Sequence, residues 1–198
     1  MKRDVKRIVV AVSGASGAPY ARRLLDFCAG PGRGHVAPHL VFTRVGRMCW
    51  ADEVGTDPAD YGFPVASNQD LGAIFASGSA RFDGMVVIPC SAGQLSRIAH
   101  GTSSDLVSRA ADVMLKERRR LVLVLRESPY SLIHVRNMTA CIEAGAVIMP
   151  ASPSFYSRPQ GIDGLLDTVV ARALDQLGVD NDLMTRWTGR PPPGPEDT

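Results

Sequence analysis

The stretch RIVVAVSGASGAPYARRLL, residues 7–25, decides the predicted fold, because a strand pattern, a turn of small residues and a helix pattern follow one another in it. Its apolar run ends at Val12, and Gly14 and Gly17 interrupt it. A continuous apolar run without polar alternation is typical of a strand that is covered on both faces, as in a parallel sheet. The stretch therefore predicts a strand, a tight turn and a helix at the start of an α/β domain.

The same alternation continues along the chain. Apolar, strand-like runs recur at residues 39–43, 85–89, 121–125 and 146–150, and helix-like segments lie near 18–29, 44–53, 104–119, 131–144 and 162–177. Strands that alternate with helices favour a parallel sheet with helices on both faces. We expect a three-layer Rossmann-like (flavodoxin-like) α/β fold, with one domain over residues 1–187 and a flexible Pro/Gly-rich tail over 188–198.

The helix pattern over 104–119 is the clearest in the chain. Ser103 or Ser104 is a candidate N-cap, Asp105 falls in the first turn, and a basic run closes the segment where cations suit the helix dipole. An apolar stripe at helical spacing runs through it. The pattern predicts a helix that packs on the sheet.

Composition narrows the class of protein. The 22 basic and 20 acidic side chains leave a net charge of +2, a balance that does not predict a nucleic-acid or membrane partner. The four cysteines are widely spaced and the four histidines form no cluster, so the sequence predicts no metal site. The first apolar run is too short for an export signal or a membrane span, and we expect a cytoplasmic protein with reduced cysteines.

The glycine turn after the first strand is a candidate anion site. Gly14 and Gly17 let the backbone approach a ligand closely, Ser13 and Ser16 supply hydroxyls, and the following helix would point its N-terminus at the ligand. The glycine spacing fits neither the dinucleotide fingerprint nor the nucleotide P-loop. An empty strand-to-helix turn remains the alternative.

A second polar turn, PCSAGQLSRIAHG at residues 89–101, follows the third predicted strand. By itself it could be an ordinary loop. Because the carboxyl ends of parallel strands meet at one edge of the sheet, two such turns favour a shared ligand. A flat, phosphorylated molecule such as flavin mononucleotide (FMN) fits this arrangement.

Charged residues follow the last two predicted strands. Arg126 and Glu127 come after the fourth strand, where a guanidinium could hold a phosphate and a carboxylate could shuttle a proton. Tyr156 and Arg158 follow the fifth strand, and Arg172 lies one helix further on. Surface ion pairs and a packing aromatic ring are the alternatives for these residues.

Taken together, six stretches resemble the flavin prenyltransferases of the UbiX type. They are SGASGAPYARRLL, PCSAGQLSRIAHG, RAADVMLKERRRLVLVLRESPYSLIH, AGAVIMPASPSFYSRPQ, LLDTVVARALDQLG and the short NM. The resemblance runs from about Arg7 to Trp187. It implies a Rossmann-like, homo-oligomeric flavoprotein, commonly a dodecamer, that uses no metal. Such an enzyme joins the dimethylallyl group of dimethylallyl monophosphate to N5 and C6 of reduced FMN, and the prenylated flavin then serves a UbiD-type decarboxylase.

The resemblance also implies roles for particular residues. The expected FMN contacts are Gly14, Ala15, Ser16, Thr43, Ser91, Ala92, Gly93, Gln94 and Arg126. Tyr156 and Arg172 match the allyl-phosphate binders, with Lys116 and Arg109 as helpers. Glu127 matches the acid/base glutamate, Ser16 and Glu53 complete the expected catalytic residues, and Glu53 is expected to reach a neighbouring subunit's site. Thr43 and Ser157 replace a serine and a histidine that are frequent in the family.

Two other functions stay open at the level of sequence. One is an FMN-dependent cysteine decarboxylase, although residues 89–95 read PCSAGQL rather than a PASANT-like segment and residues 18–29 hold no histidine. The other is a flavin-binding accessory subunit without catalysis. The joint presence of Glu127 and the expected allyl-phosphate binders disfavours the second alternative.

Overall fold

The computed structural model describes residues 5–189, and six parallel strands form its central sheet. They are β1 (Lys6–Val12), β2 (Val36–Phe42), β3 (Val65–Ala66), β4 (Gly84–Cys90), β5 (Arg120–Leu125) and β6 (Val147–Pro150). The predicted strands are confirmed with small shifts of their ends. The two-residue β3 is an addition that no apolar run in the sequence signals.

Six α-helices cover the sheet within the described residues. They are α1 (Ala18–Ala29), α2 (Arg44–Glu53), α3 (Ala92–Ala99), α4 (Leu106–Lys116), α5 (Leu132–Glu143) and α6 (Gly161–Gln176). Short 3₁₀ turns lie at Pro58–Tyr61, Ile74–Ala76 and Gly78–Ala80. No helix in residues 5–189 is long and apolar enough to cross a bilayer.

The strands lie in the order β3-β2-β1-β4-β5-β6. This order reverses direction between β1 and β4, which pair in parallel from Ile8↔Gly84 to Ala11↔Val87. In an open parallel sheet the reversal leaves a crevice outside the carboxyl ends of the two strands, and ligands bind there. The expected Rossmann-like fold with helices on both faces is confirmed.

Strand β1 divides the core into two layers, because successive side chains point to opposite faces of a sheet. Ile8, Val10 and Val12 pack with α1 and α6 on one face, whereas Val9 and Ala11 pack with α3 and α4 on the other. All five side chains are at most 1% exposed. The continuous apolar run of β1 therefore reflects burial on both faces.

Two sequence-based expectations about helices were wrong. The segment after β4 forms the helix α3 where a polar turn was expected, because Leu95 and Ile98 bury an apolar face that is too short to stand out in the sequence. Helix α4 begins at Leu106 with Asp105 as its N-cap, not Ser103 or Ser104. The carboxylate of Asp105 accepts the amide of Ser108 over 2.8 Å. The expected tail over 188–198 lies almost entirely outside the described residues.

Candidate functional site

Ser13 joins the turns that follow β1 and β4. Its hydroxyl donates to the carbonyl of Pro89 over 2.9 Å and accepts the amide of Ser91 over 2.8 Å. Ser13 is fully buried, so its hydroxyl holds the two turns together and cannot serve a ligand as the sequence suggested. The two turns predicted to share a ligand are thus adjacent and fixed in register.

The N-terminus of α1 is occupied by a carboxylate of the same chain. Oε2 of Glu53 accepts the amides of Gly17 and Ala18 over 2.7 and 2.8 Å. Pro19 has no N–H, and the amide of Tyr20 bonds to the carbonyl of Gly17 over 3.0 Å. All the N–H groups that this helix end could offer an anion are therefore bonded. In the single chain this helix end is therefore closed to an anion, and Glu53, which was expected to reach a neighbouring subunit's site, bonds to α1 of its own chain.

Helices α2 and α3 present open N-termini at the same edge. The hydroxyl of Thr43 caps α2 through the amide of Gly46, and the hydroxyl of Ser91 caps α3 through the amide of Gln94. Within the described part of the chain, the first two amides of each helix have no hydrogen-bond acceptor; they belong to Arg44, Val45, Ala92 and Gly93. Four such N–H groups, each at the positive end of a helix dipole, favour an anion.

These two helix ends open onto one cavity of about 390 Å³, the central cavity. It is lined by Gly14, Thr43, Arg44, Val45, Asn68, Ser91, Gly93, Arg97, Ser104 and Asp105. A Cβ on Gly14 would lie 2.6 Å from the side chain of Val45. Glycine at this position lets the end of β1 and the start of α2 approach each other beside the cavity.

The central cavity fits a phosphorylated ligand such as FMN. Amides of two helices point towards it, and Arg44 and Arg97 bring positive charge. Of the expected FMN contacts, Gly14, Thr43, Ser91 and Gly93 line it. Gln94 instead is fully buried behind the cavity, where its Nε2 donates to Ser108 Oγ over 3.1 Å. Ser16 is exposed and Ala15 is 8% exposed in the turn after β1.

Six residues at the central cavity were missed as site residues by the sequence prediction: Arg44, Val45, Asn68, Arg97, Ser104 and Asp105. Asn68 accepts the amides of Leu106 and Val107 through its carbonyl and side chain, which closes the N-terminus of α4. Arg97 was not singled out, because the sequence pattern predicted a polar turn where α3 forms. Asn68 lies in a segment without strand or helix pattern, so no local signal identified it.

Arg126 and Glu127 follow β5 at the same edge as the central cavity. The amide of Arg126 bonds to the carbonyl of Cys90 over 2.9 Å, which ties the ends of β4 and β5 together. The Arg126 side chain is exposed, and Glu127 Oε1 accepts the amide of Ser128 over 3.0 Å. Both residues thus lie at the carboxyl edge of the sheet, as the sequence predicted.

Tyr156 follows β6, and Arg172 lies on α6, where it faces a second cavity of about 300 Å³ beside β6. Arg172 lines it, but its guanidinium pairs with Asp175 over 2.7 Å. Asp175 also binds Arg186, and the neighbouring Trp187 packs edge-on against Tyr156 with ring centroids 6.0 Å apart. The cation expected for a substrate phosphate is therefore paired to a carboxylate in the free chain.

Lys116 and Arg109 do not join this group within one chain. Lys116 ends α4 at the opposite edge of the sheet, where it lines a cavity with Arg120, the first residue of β5. Arg109 donates to the carbonyl of Ala76 and to Asp112, on the outer side of α4. Helix α4 runs antiparallel to the strands, so its C-terminal residue cannot reach the carboxyl edge. A single chain therefore does not bring the four expected substrate-binding residues together.

A larger cavity of about 770 Å³ lies at the amino edge of the sheet, against Lys6, His35 and Asp83. Helices of this fold direct their C-termini to that edge, so it lacks the converging amides of the central cavity. We therefore assign the functional site to the central cavity.

Three of the four cysteines, Cys28, Cys90 and Cys141, are buried. Burial raises the pKa of Cys28 to about 12 and that of Cys141 to about 11, and it also raises the pKa of Cys90. These thiols are protonated at neutral pH and are poor nucleophiles. Residues 5–189 contain no group of three or more His, Cys, Asp or Glu side chains that could hold a metal.

Known proteins resemble the chain over nearly its whole length. The Flavoprotein family matches residues 39–174. The flavin prenyltransferase UbiX of Thermoplasma acidophilum is 45% identical over 185 residues, which cover 91% of this chain and 99% of that protein.

Solved structures agree with this relationship. The crystal structure of AnUbiX (PadA1) in complex with FMN and dimethylallyl pyrophosphate has a TM-score of 0.89 and 43% identity, covering 94% of this chain and 100% of that chain. A dodecameric FMN-dependent UbiX-like decarboxylase from Escherichia coli O157:H7 has a TM-score of 0.87 and 40% identity, covering 92% and 100%. On these grounds the chain belongs to the flavoprotein family and, within it, to the UbiX-type flavin prenyltransferases.

Proposed function

We propose that this protein is a flavin prenyltransferase that joins a dimethylallyl group to N5 and C6 of reduced FMN and releases phosphate. The observation that carries the proposal is the 45% identity to a curated flavin prenyltransferase over 91% of the chain. The central cavity supports it, because it combines open helix ends with arginines at the point where the strand order reverses. The same identity favours this function over cysteine decarboxylation and over a non-catalytic flavin-binding role.

FMN binds in the crevice between the turns after β1 and β4. The glycine turn around Gly14 allows close approach of the flavin, and the residues from Ser91 to Gly93 supply amides. Arg126 contacts the flavin ring; its exposed side chain at the end of β5 supports this role. The rigid Ser13 connection holds both turns in place before the ligand arrives, which limits the entropy lost on binding.

The first chemical step breaks the bond between the allylic carbon and the phosphate oxygen, and forms a bond from that carbon to N5. Phosphate departs with the electron pair, and N5 loses a proton. Negative charge grows on the phosphate oxygens, so fixed cations and a hydroxyl donor stabilise the transition state. Arg172 and Tyr156 supply them on the β6 side, and the developing allyl cation lies against the electron-rich flavin ring.

Ring closure then forms the bond to C6. The alkene accepts a proton while C6 loses one, so the flavin gains C5H8 overall. Glu127, which lies at the end of β5, is the group that moves these protons. Ser16 and Glu53 lie at the exposed end of the glycine turn, where Glu53 already orders the backbone of Gly17 and Ala18.

This activity also implies a recipient for the product and an assembly of several copies of the chain. The product is a modified flavin, and a UbiD-type decarboxylase is its expected recipient. The chain assembles with further copies of itself into a dodecamer, the form of the UbiX-like decarboxylase from Escherichia coli. Exposed apolar side chains at Leu132, Ile133, Phe155 and Ile162, each more than 60% exposed, are suited to such contacts. In an assembly, Lys116 could reach a substrate only at the site of another copy.

The activity is tested by mixing the purified protein with reduced FMN and dimethylallyl monophosphate without oxygen. The flavin is then extracted and weighed by mass spectrometry, with dimethylallyl pyrophosphate as a parallel donor. We expect a flavin heavier by one C5H8 unit. Unmodified FMN with both donors, under conditions in which the protein binds FMN, would contradict the proposed function.

A Glu127→Gln variant tests the proton-transfer role in the same assay. We expect it to bind FMN with unchanged affinity but to fail to yield the cyclised product, because the amide cannot exchange the proton. The matched control is Glu143→Gln at the exposed end of α5, which should leave the product yield unchanged. Normal product formation by Glu127→Gln would remove Glu127 from the mechanism.

A further inference from the structure

Arg97 lies on the last turn of α3, and its guanidinium reaches back towards the start of that helix. Nη2 donates to Gln94 Oε1 over 2.6 Å, one turn earlier, and the side chain lines the central cavity together with Ser91 and Gly93. Side chains of an α-helix lean towards its N-terminus, so the positive charge lies on the same side as the open amides of α3.

The guanidinium has hydrogen-bonding capacity that the described residues do not use. Its Nε is buried without a hydrogen-bond acceptor there. The nearest carboxylate oxygen, Oδ2 of Asp105, is 3.9 Å away, which is too far for a hydrogen bond. The other oxygen of Asp105 is engaged in capping α4. A buried, unbonded donor on a charged group is costly, so the protein alone leaves this guanidinium incompletely satisfied.

Gln94 fixes the orientation of Arg97. Gln94 is fully buried, and its two polar atoms are both bonded, Nε2 to Ser108 Oγ over 3.1 Å and Oε1 to Arg97. The side chain of Arg97 is 38% exposed, so its outer nitrogens remain accessible from the cavity. The network holds the planar guanidinium in place, and a planar guanidinium can bind two oxygens of a phosphate at once.

We propose that Arg97 binds the phosphate of FMN, together with the open amides of Ala92 and Gly93 at the start of α3. This inference rests on the proposed function, since it takes FMN as the ligand of the central cavity. The other predicted site for that phosphate, the N-terminus of α1, has its amides bonded to Glu53. Arg44 also lines the cavity and is the rival cation.

The test compares the affinities of the protein for FMN and for riboflavin, which lacks the phosphate. Dissociation constants are measured by flavin fluorescence for the full-length wild type and for Arg97→Gln, Arg97→Lys and Arg44→Gln. Arg33→Gln, an exposed arginine at the opposite edge of the sheet, is the control. Circular dichroism of each variant verifies that it is folded.

We expect Arg97→Gln to lose about tenfold to a hundredfold in FMN affinity, the effect of one charge-assisted contact, with riboflavin affinity unchanged. Arg97→Lys should recover part of the loss, and Arg33→Gln should match the wild type. Unchanged FMN affinity in Arg97→Gln, or equal losses for both flavins, would overturn the assignment alone. So would a selective loss of FMN affinity in Arg44→Gln without one in Arg97→Gln. A wild-type protein that binds neither flavin would overturn the proposed function and this assignment with it.

Discussion

The N-termini of α1 and α3 lie at the same edge of the sheet, yet only one of them is open to a ligand. Both helices follow a buried strand and a turn of small residues. The amides of α1 are bonded to the carboxylate of Glu53, whereas the first two amides of α3 have no acceptor in residues 5–189. The same local sequence pattern thus leads to a closed helix end in one place and an open one in the other.

The difference is caused by residues that are distant in sequence. Glu53 lies 36 positions after Gly17 and reaches it from the end of α2. At Arg172 the closing carboxylate is local instead, because Asp175 on the next turn of α6 pairs with it. A turn or an arginine therefore identifies where an anion could bind, but the surrounding carboxylates decide whether that position is available.

The largest effect is expected at the open end of α2. A Cβ at Gly46 would lie 2.2 Å from the carbonyl oxygen of Val12, a backbone atom that cannot move aside cheaply. We expect Gly46→Ala to lower the free energy of unfolding by about 3 kcal/mol, measured by urea denaturation. Gly93→Ala is the matched control, since nothing lies within 4 Å of its added Cβ. Equal midpoints for the two variants would contradict the close packing of α2 on β1.

The next effect concerns the closed end of α1. Glu53→Ala should lower the free energy of unfolding by about 1 kcal/mol, because two amides lose their acceptor at the positive end of the helix. Added sulfate should raise the thermal midpoint of this variant more than that of the wild type, since the exposed amides can then bind an anion. Asp52→Ala, an exposed neighbour, is the control. An equal sulfate response in all three proteins would show that Glu53 does not close this helix end.

A smaller effect on stability is expected when acid protonates the carboxylate of Asp175. Burial opposes the ionisation of its carboxyl, but the hydrogen bond and charge of Arg186, with the charge of Arg172, hold its pKa below the usual range. A lowered pKa in the folded state stabilises the protein above the pKa of the unfolded chain, about 3.9. That contribution is lost as the pH falls through the lower folded value. It should amount to less than about 1 kcal/mol, because Arg186 is partly exposed.

Trp187 reports this change, because it packs on Tyr156 one residue after Arg186. Its fluorescence should change as the pH falls below about 4 in the wild type. In Asp175→Asn, which cannot pair with Arg186, the emission of Trp187 should already have this low-pH character at neutral pH. Trp50 is buried and serves as an internal reference. A pH-independent signal in the wild type would show that Asp175 does not hold this segment.

No effect on flavin affinity is expected from Lys116. It lies at the amino edge of the sheet and pairs with Glu117, so Lys116→Gln should bind FMN with the wild-type dissociation constant in a fluorescence titration. A tenfold weaker affinity would mean that Lys116 reaches a flavin site from another copy of the chain.

Much of the fold was predictable from the sequence, because strands buried on both faces give continuous apolar runs that stand out clearly. The two-residue β3 and the short α3 were not, since neither is long enough for a period to show. At the site, the turns around Gly14 and Ser91 were found from their composition. Whether each helix end is open was not predictable, because the bonds of Glu53 to Gly17 and Ala18 depend on the packing of a segment distant in sequence.

A crystal structure of the protein with bound FMN would test most directly the claim that the open end of α3, and not the glycine turn at α1, holds the phosphate. The account predicts phosphate oxygens within hydrogen-bonding distance of the amides of Ala92 and Gly93 and of the Arg97 guanidinium, with Glu53 still bonded to Gly17 and Ala18. A phosphate bonded to Gly17 and Ala18, with Glu53 displaced, would contradict it.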